Sequence, residues 1–190
     1  AALCPWAPPA AAGLLAPATG ANWGHFHATA QPARAVAPLD VWRRLDWAPV
    51  LVETKVDGWR LQVHVRAQGQ PRVAVFTHSG RSASRPLGNH ADYFGDVAES
   101  LRACSRGEDG IPDEGGAGAI FDCEVVVVNE REGRDEAFGT VHRLAGRTAG
   151  ERQGWRHHCL VVFDVLMLRG RDTRGEPLRK RRMLLEAAIE

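Results

Sequence analysis

The run KVDGWR at residues 55–60 sets a primary amine, a carboxylate, a glycine and a guanidinium within six positions. A lysine amine attacks a phosphoryl or carbonyl centre only when unprotonated, and a free lysine has a pKa of about 10.4. Lys55 therefore needs burial and neighbouring cations to become a nucleophile. Asp57, two residues on, falls on the same side of an extended segment. Its charge alone favours the protonated amine, unless a divalent metal takes up the carboxylate. Gly58 allows a tight turn, and Arg60 returns to that side with a fork suited to ribose or phosphate oxygens. Taken alone, six such residues are more often a lysine and an aspartate flanking a hairpin turn.

Other chain segments must position this group. PVLVETK, from about residue 49, reads as a strand ending at Lys55. RLQVHV alternates Leu61, Val63 and Val65 against Arg60, Gln62 and His64, the period of a half-buried strand. AQGQP supplies turn chemistry before VAVFT, a second strand. HADYFGDVAESLRAC places Tyr93, Phe94, Val97 and Leu101 at helical spacing, and a loop, SRGEDGIPDEGGAG, follows. AIFDCEVVVVN and CLVVFDVLML read as long strands. On the first, Glu124 faces away from Cys123 and Val125, so it lines a polar surface while they fill core; Asp122 shares its side. After Pro177, LRKRRMLLEAAIE carries Leu178, Leu185 and Ile189 on one stripe of a helix. Hairpins beside helices without regular βαβ alternation predict an α+β fold of antiparallel sheets flanked by helices. Residues 1–38, rich in Ala, Pro and Gly, read as a linker or disordered segment, and residues 39–190 as the folded portion.

With 44% hydrophobic and 25% charged residues the chain has globular composition, and no apolar run is long enough to span a bilayer. The opening is apolar but broken by prolines and lacks a basic leading region, unlike a signal peptide. The four cysteines form no CxxC pair, which predicts reduced thiols in an intracellular protein. In HHC at 157–159 neighbouring side chains would point to opposite faces of a strand, which disfavours a metal site. The net charge of +1 is uneven: RGRDTRGEPLRKRR at 169–182 carries +5 and the remainder −4. On charge alone that run reads as a solvated helix start rather than a binding patch.

Motif order adds what single motifs lack. KVDGWR resembles the nucleotide-attachment motif KxDGxR of the covalent nucleotidyltransferases, the superfamily of ATP-dependent DNA ligases, RNA ligases and mRNA capping enzymes. FTHSG at 76–80 resembles the ligase motif SRNG, and FDCEVVVVN at 121–129 resembles the strand carrying DGE. AFGTVHRLA is similar to a PFGTLKTAA-like segment of end-joining ligases of the DNA ligase IV type. CLVVFDVLML with RG resembles YVFDILYLNG, and EPLRKRRMLLE resembles the helix after it. These matches run in the family's order from about residue 50 to the end.

The resemblance implies an ATP-grasp-like nucleotidyltransferase core, present here without its C-terminal side, in an ATP-dependent DNA ligase. Lys55 would form a phosphoamide with AMP from ATP, and Asp57 would organise that lysine and its Mg2+. Arg60 and Glu124 would hold the ribose, Glu124 also reaching the metal. Phe163 would stack on adenine, with Glu53 and Thr54 near the base edge. His78 and Arg81 would face DNA: His78 replaces the arginine of SRNG, and Arg81 is placed to take over its contact. Cys123 stands where DGE has glycine, so a side chain must fit there. The family's later EGxxxK and KxK motifs do not occur in this sequence, which predicts weak or no activity for these residues by themselves. Nicked or broken double-stranded DNA would be the substrate, a scaffold protein for end joining a partner through other regions, no membrane involved, and the nucleus the location. GTP-dependent capping and an inactive nucleic-acid-binding remnant are the alternatives.

Overall fold

The computed structural model describes residues 26–27, 40–41, 43, 51–66, 73–83, 101, 118–136, 139–140 and 155–189. Most of them belong to one antiparallel sheet and the helix that follows it. The strands are β1 (Trp59–Arg66), β2 (Val73–Thr77), β3 (Gly118–Asn129), β4 (Arg134–Asp135), β5 (Arg156–Leu168) and β6 (Arg171–Asp172), followed by α1 (Leu178–Ile189). The order across the sheet is β2-β1-β3-β5-β6, with β4 also pairing β3. β1 covers β3 as far as Val125, and β4 pairs with Val128 and Asn129 beyond it. The expected antiparallel α+β arrangement is thus present.

β-branched alternation gives the sheet an apolar face. Leu61, Val63 and Val65 of β1 pair with Cys123, Phe121 and Ala119 of β3, and all six are fully buried. Val125, Val127 and Val165 extend this cluster, and Leu185 of α1 closes it with Leu184 and Ala188 packed alongside. The helix therefore docks through Leu184, Leu185 and Ala188 rather than through the stripe expected from sequence: Leu178 is only half-buried and Ile189 is exposed. Pro177 stands just before α1, its carbonyl accepting the amides of Lys180 and Arg181 at 2.9 and 3.1 Å.

The opposite face of β1, expected to be polar and half-exposed, is also buried. Gln62 and His64 are 2% and 0% exposed. The backbone of His27 pairs with the Gln62 amide in both directions, its N–H donating to Oε1 and its C=O accepting from Nε2, each at 2.9 Å. That fixes the Gln62 oxygen, so the His64 Nε2 that meets it at 2.9 Å carries the hydrogen. The His27 and His64 rings stack with centroids 6.0 Å apart, and Phe76 lies against His64 and Phe26.

Residues 51–57, expected to include the end of a strand, have no regular structure, and β1 begins only at Trp59. β5 and β6 are joined through Arg169 and Gly170, both at positive φ (52° and 78°), as the tightest hairpin turns require. Of the helix expected at 90–104 only Leu101 lies among the described residues, helical and buried; of AFGTVHRLA only Gly139 and Thr140 do, also helical.

The basic run at 169–182 is largely paired rather than simply solvated. Arg174 forks Asp172, Arg171 and Lys180 meet Glu176, and Arg181 forks Asp164. No helix among the described residues is long and apolar enough to cross a membrane.

Candidate functional site

The β1–β3 register sets Arg60 opposite Glu124 and Gln62 opposite Asp122, so these four share the face turned away from the apolar core. Just before β1, the Gly58 N–H donates to Glu124 Oε1 at 3.0 Å. A Cβ on residue 58 would sit 2.2 Å from the Val125 carbonyl oxygen and 2.9 Å from Glu124 Cγ. Glycine is needed here for this close backbone approach rather than for the tight turn expected from sequence. The contact ties Gly58, immediately ahead of β1, to the acid of β3.

Arg60 reaches diagonally to Asp122, its Nε donating to Oδ1 at 3.0 Å and its Nη2 to Oδ2 at 2.6 Å. The side chains are 28% and 4% exposed, so this is a fork in a largely dry setting. Burial pushes the Asp122 carboxyl above the usual range, the hydrogen bonds from Arg60 pull it back, and the charge of Asp164 adds to the upward push. The same hydrogen bonds raise Arg60, against the effect of burial. The Arg60 guanidinium carbon also lies 5.5 Å from the centroid of the Phe163 ring, within cation–π range.

Phe163 owes its placement to an irregularity. Cys123 pairs with Val162 and Asp122 with Asp164, so β5 spends one extra residue, Phe163, against β3. Such a bulge re-aims a side chain and is common beside binding sites. Asp164 is in turn forked by Arg181 of α1, with Nε to Oδ1 at 2.8 Å and Nη2 to Oδ2 at 2.9 Å. Sequence gave no role to Asp164 or Arg181, and marked Asp122 only as sharing a polar side. The available signal was a lone carboxylate inside the apolar run CLVVFDVLML, whose partner depends on the fold.

Cys123, the residue in place of the family's glycine, turns into the apolar face, where burial pushes its thiol well up. The polar side of β3 is left to its neighbours.

The remaining candidate residues lie at the surface. Glu53, Thr54, Lys55 and Asp57 are exposed, so the burial expected to activate Lys55 is not present in this structure. Residues 1–18 with 28–56 form one compact unit, and 19–27 with 57–190 another. Glu53, Thr54 and Lys55 belong to the first; Asp57, Arg60, Glu124 and Phe163 belong to the second. After β2 the chain reverses in a turn in which the Gly80 amide donates to the Thr77 carbonyl at 2.9 Å and the Thr77 amide to the Arg81 carbonyl at 2.8 Å. This turn presents His78 and Arg81 outward, both exposed.

Among the described residues no three His, Cys, Asp or Glu side chains gather as a ligand set. Asp57 and Glu124 offer carboxylate oxygens, the donor type that hard cations such as Mg2+ take.

Comparison with known proteins matches residues 30–190 to the family described as the ATP dependent DNA ligase domain. A DNA ligase of Cenarchaeum symbiosum is 30% identical over 144 residues, covering 75% of this chain and 21% of that protein. DNA ligase 4 of Emericella nidulans is 30% identical over 148 residues, covering 73% of this chain and 14% of that protein. The chain thus spans a quarter or less of the curated relatives it matches. Among solved structures, the ligase domain of M. tuberculosis LigD overlaps 71% of this chain and 34% of its own, with TM-score 0.48 and 24% identity.

Proposed function

As the chain belongs to the ATP-dependent DNA ligase domain family, we propose that it carries the nucleotide-attachment part of an enzyme that seals DNA strand breaks with ATP. The observation that supports this most is the Glu124–Gly58 hydrogen bond, with Arg60, Asp122 and Phe163 beside it on one sheet face. Lys55 enters through its place in KVDGWR: its amine loses a proton and bonds to the α-phosphorus of ATP, the bond to pyrophosphate breaks, and lysyl-AMP remains. AMP then passes to a 5′ phosphate, and a 3′ hydroxyl displaces it to join the strand. Arg60 and Glu124 bind the ribose, Phe163 stacks on adenine, and Glu53 and Thr54 lie near its edge. His78 and Arg81, on an exposed turn, face the DNA. Asp57 and Glu124 would hold Mg2+, which neutralises phosphate charge during transfer.

A narrower reading assigns the protein to the end-joining DNA ligase IV type, in the nucleus, working in repair with a scaffold partner bound through other regions. Its support is the AFGTVHRLA segment and the fungal DNA ligase 4 likeness, which the archaeal ligase equals in identity. The test is labelling of the intact protein with radioactive ATP and with GTP. ATP labels the protein, GTP does not, and Lys55→Ala abolishes the label; a variant that still labels sinks the nucleophile assignment. Preference for GTP would favour a capping enzyme, and nicked-DNA binding indifferent to ATP and to Lys55→Ala would favour a binding module.

A further inference from the structure

The residue after Phe163 is held from outside the sheet. Asp164 accepts both forks of Arg181 and the amide of Val165 at 2.9 Å. Arg181 donates its remaining Nη1 to the Glu176 carbonyl at 2.6 Å, so its guanidinium is fixed at three points. Both side chains are only 16% exposed. Leu185, one turn further along α1, is buried in the core and fixes the helix from which Arg181 reaches. The bulge carrying Phe163 is thereby anchored to the helix, not only to β3.

The electrostatics point the same way. Asp164 and Asp122 are cross-strand partners, a placement in which like charges repel. Each is offset by its own arginine, Arg181 for Asp164 and Arg60 for Asp122. Without Arg181, Asp164 becomes an uncompensated carboxylate beside the Arg60–Asp122 fork and competes for Arg60. The guanidinium beside the Phe163 ring would then be drawn from its place.

We infer that Arg181, through its fork on Asp164, is a positioning residue for the nucleoside end of the site, setting the Phe163 ring and the Arg60 guanidinium for a base and its ribose. The inference rests on the proposed ligase reading, in which those two groups meet the nucleoside. It concerns base and ribose, not the phosphates, and this separates it from a purely structural pair.

The experiment compares wild type with Arg181→Met, Arg181→Lys and the double variant Arg181→Met/Asp164→Asn in the intact protein. It measures KM and rate for self-labelling by ATP, inhibition by inorganic tripolyphosphate, and thermal stability. Arg181→Met is expected to raise KM for ATP about tenfold, the scale of a weakened base–aromatic stack. Tripolyphosphate inhibition and the rate at saturating ATP should stay within about twofold. The double variant should recover part of the loss, since it also removes the stranded charge, and Arg181→Lys should fall between. The inference is overturned if ATP and tripolyphosphate weaken together in step with lost stability, or if KM is unchanged. Should Arg181→Met not fold, the lysine and double variants decide by the same split. Wild type that neither labels nor binds ATP overturns the ligase reading itself, a result distinct from unequal wild type and variants.

Discussion

On one face of the sheet Leu61, Val63, Phe121, Cys123 and Val125 lie against Leu185, and nothing there needs a particular partner. One residue along the same strands, the other face holds Arg60, Gln62, His64, Asp122 and Glu124, each of which has a specific polar contact. The first face gains from apolar area removed from water and tolerates exchange of similar shapes. The second gains little net free energy from its pairs, yet loses heavily when one member is removed, because the survivor stays dry without compensation. A polar sheet face can therefore be buried, provided its charges are already matched.

The largest effect is expected where the two faces meet. Gly58→Ala forces a methyl against the Val125 carbonyl, and backbone against backbone cannot relax by a rotamer change. Stability should fall by more than about 3 kcal/mol in chemical denaturation, the upper end for overpacking. A smaller drop would mean that the chain can part from β3 there at little cost.

On the apolar face, Leu185→Ala should cost about 3 kcal/mol, with Leu185→Met costing far less. On the polar face, Asp122→Ala should cost about 2 kcal/mol, below the range for a fully buried pair because Arg60 keeps some surface in water. Adding Arg60→Met to Asp122→Ala should restore part of that loss; an additive cycle would show the two faces to be energetically alike.

The smallest effect lies at the rim. Glu176 is held below its ordinary carboxylate value first by the hydrogen bond from Lys180, then by the charges of Lys180 and Arg171. Because the folded value is lowered, its contribution is complete above the unfolded value and disappears as pH falls through the folded one. Glu176→Gln should thus be slightly less stable than wild type at neutral pH, the difference closing as pH falls below the folded value of Glu176, measured by denaturation midpoints. A difference that persists in acid would assign the effect to packing.

The apolar face was legible because its rule is local: alternation over β1 and β3 names Leu61, Val63, Cys123 and Val125 without knowledge of the partner strand. Glu124 was legible for the same reason, as the polar residue between two buried ones. What escaped depended on pairing at a distance. Arg60 finds Asp122 across 62 positions and Asp164 finds Arg181 across 17, and both contacts follow from register and helix docking. Phe163 as a bulge residue needed the slip between β3 and β5, which no periodicity displays. Residues 51–57 misled because an apolar run is consistent with a strand, and only pairing makes it one.

Gln62 grips the backbone N–H and C=O of His27 and in these two bonds asks nothing of the side chain there. That attachment is therefore blind to amino-acid identity at position 27. Proline, which offers no N–H, is the substitution it would refuse.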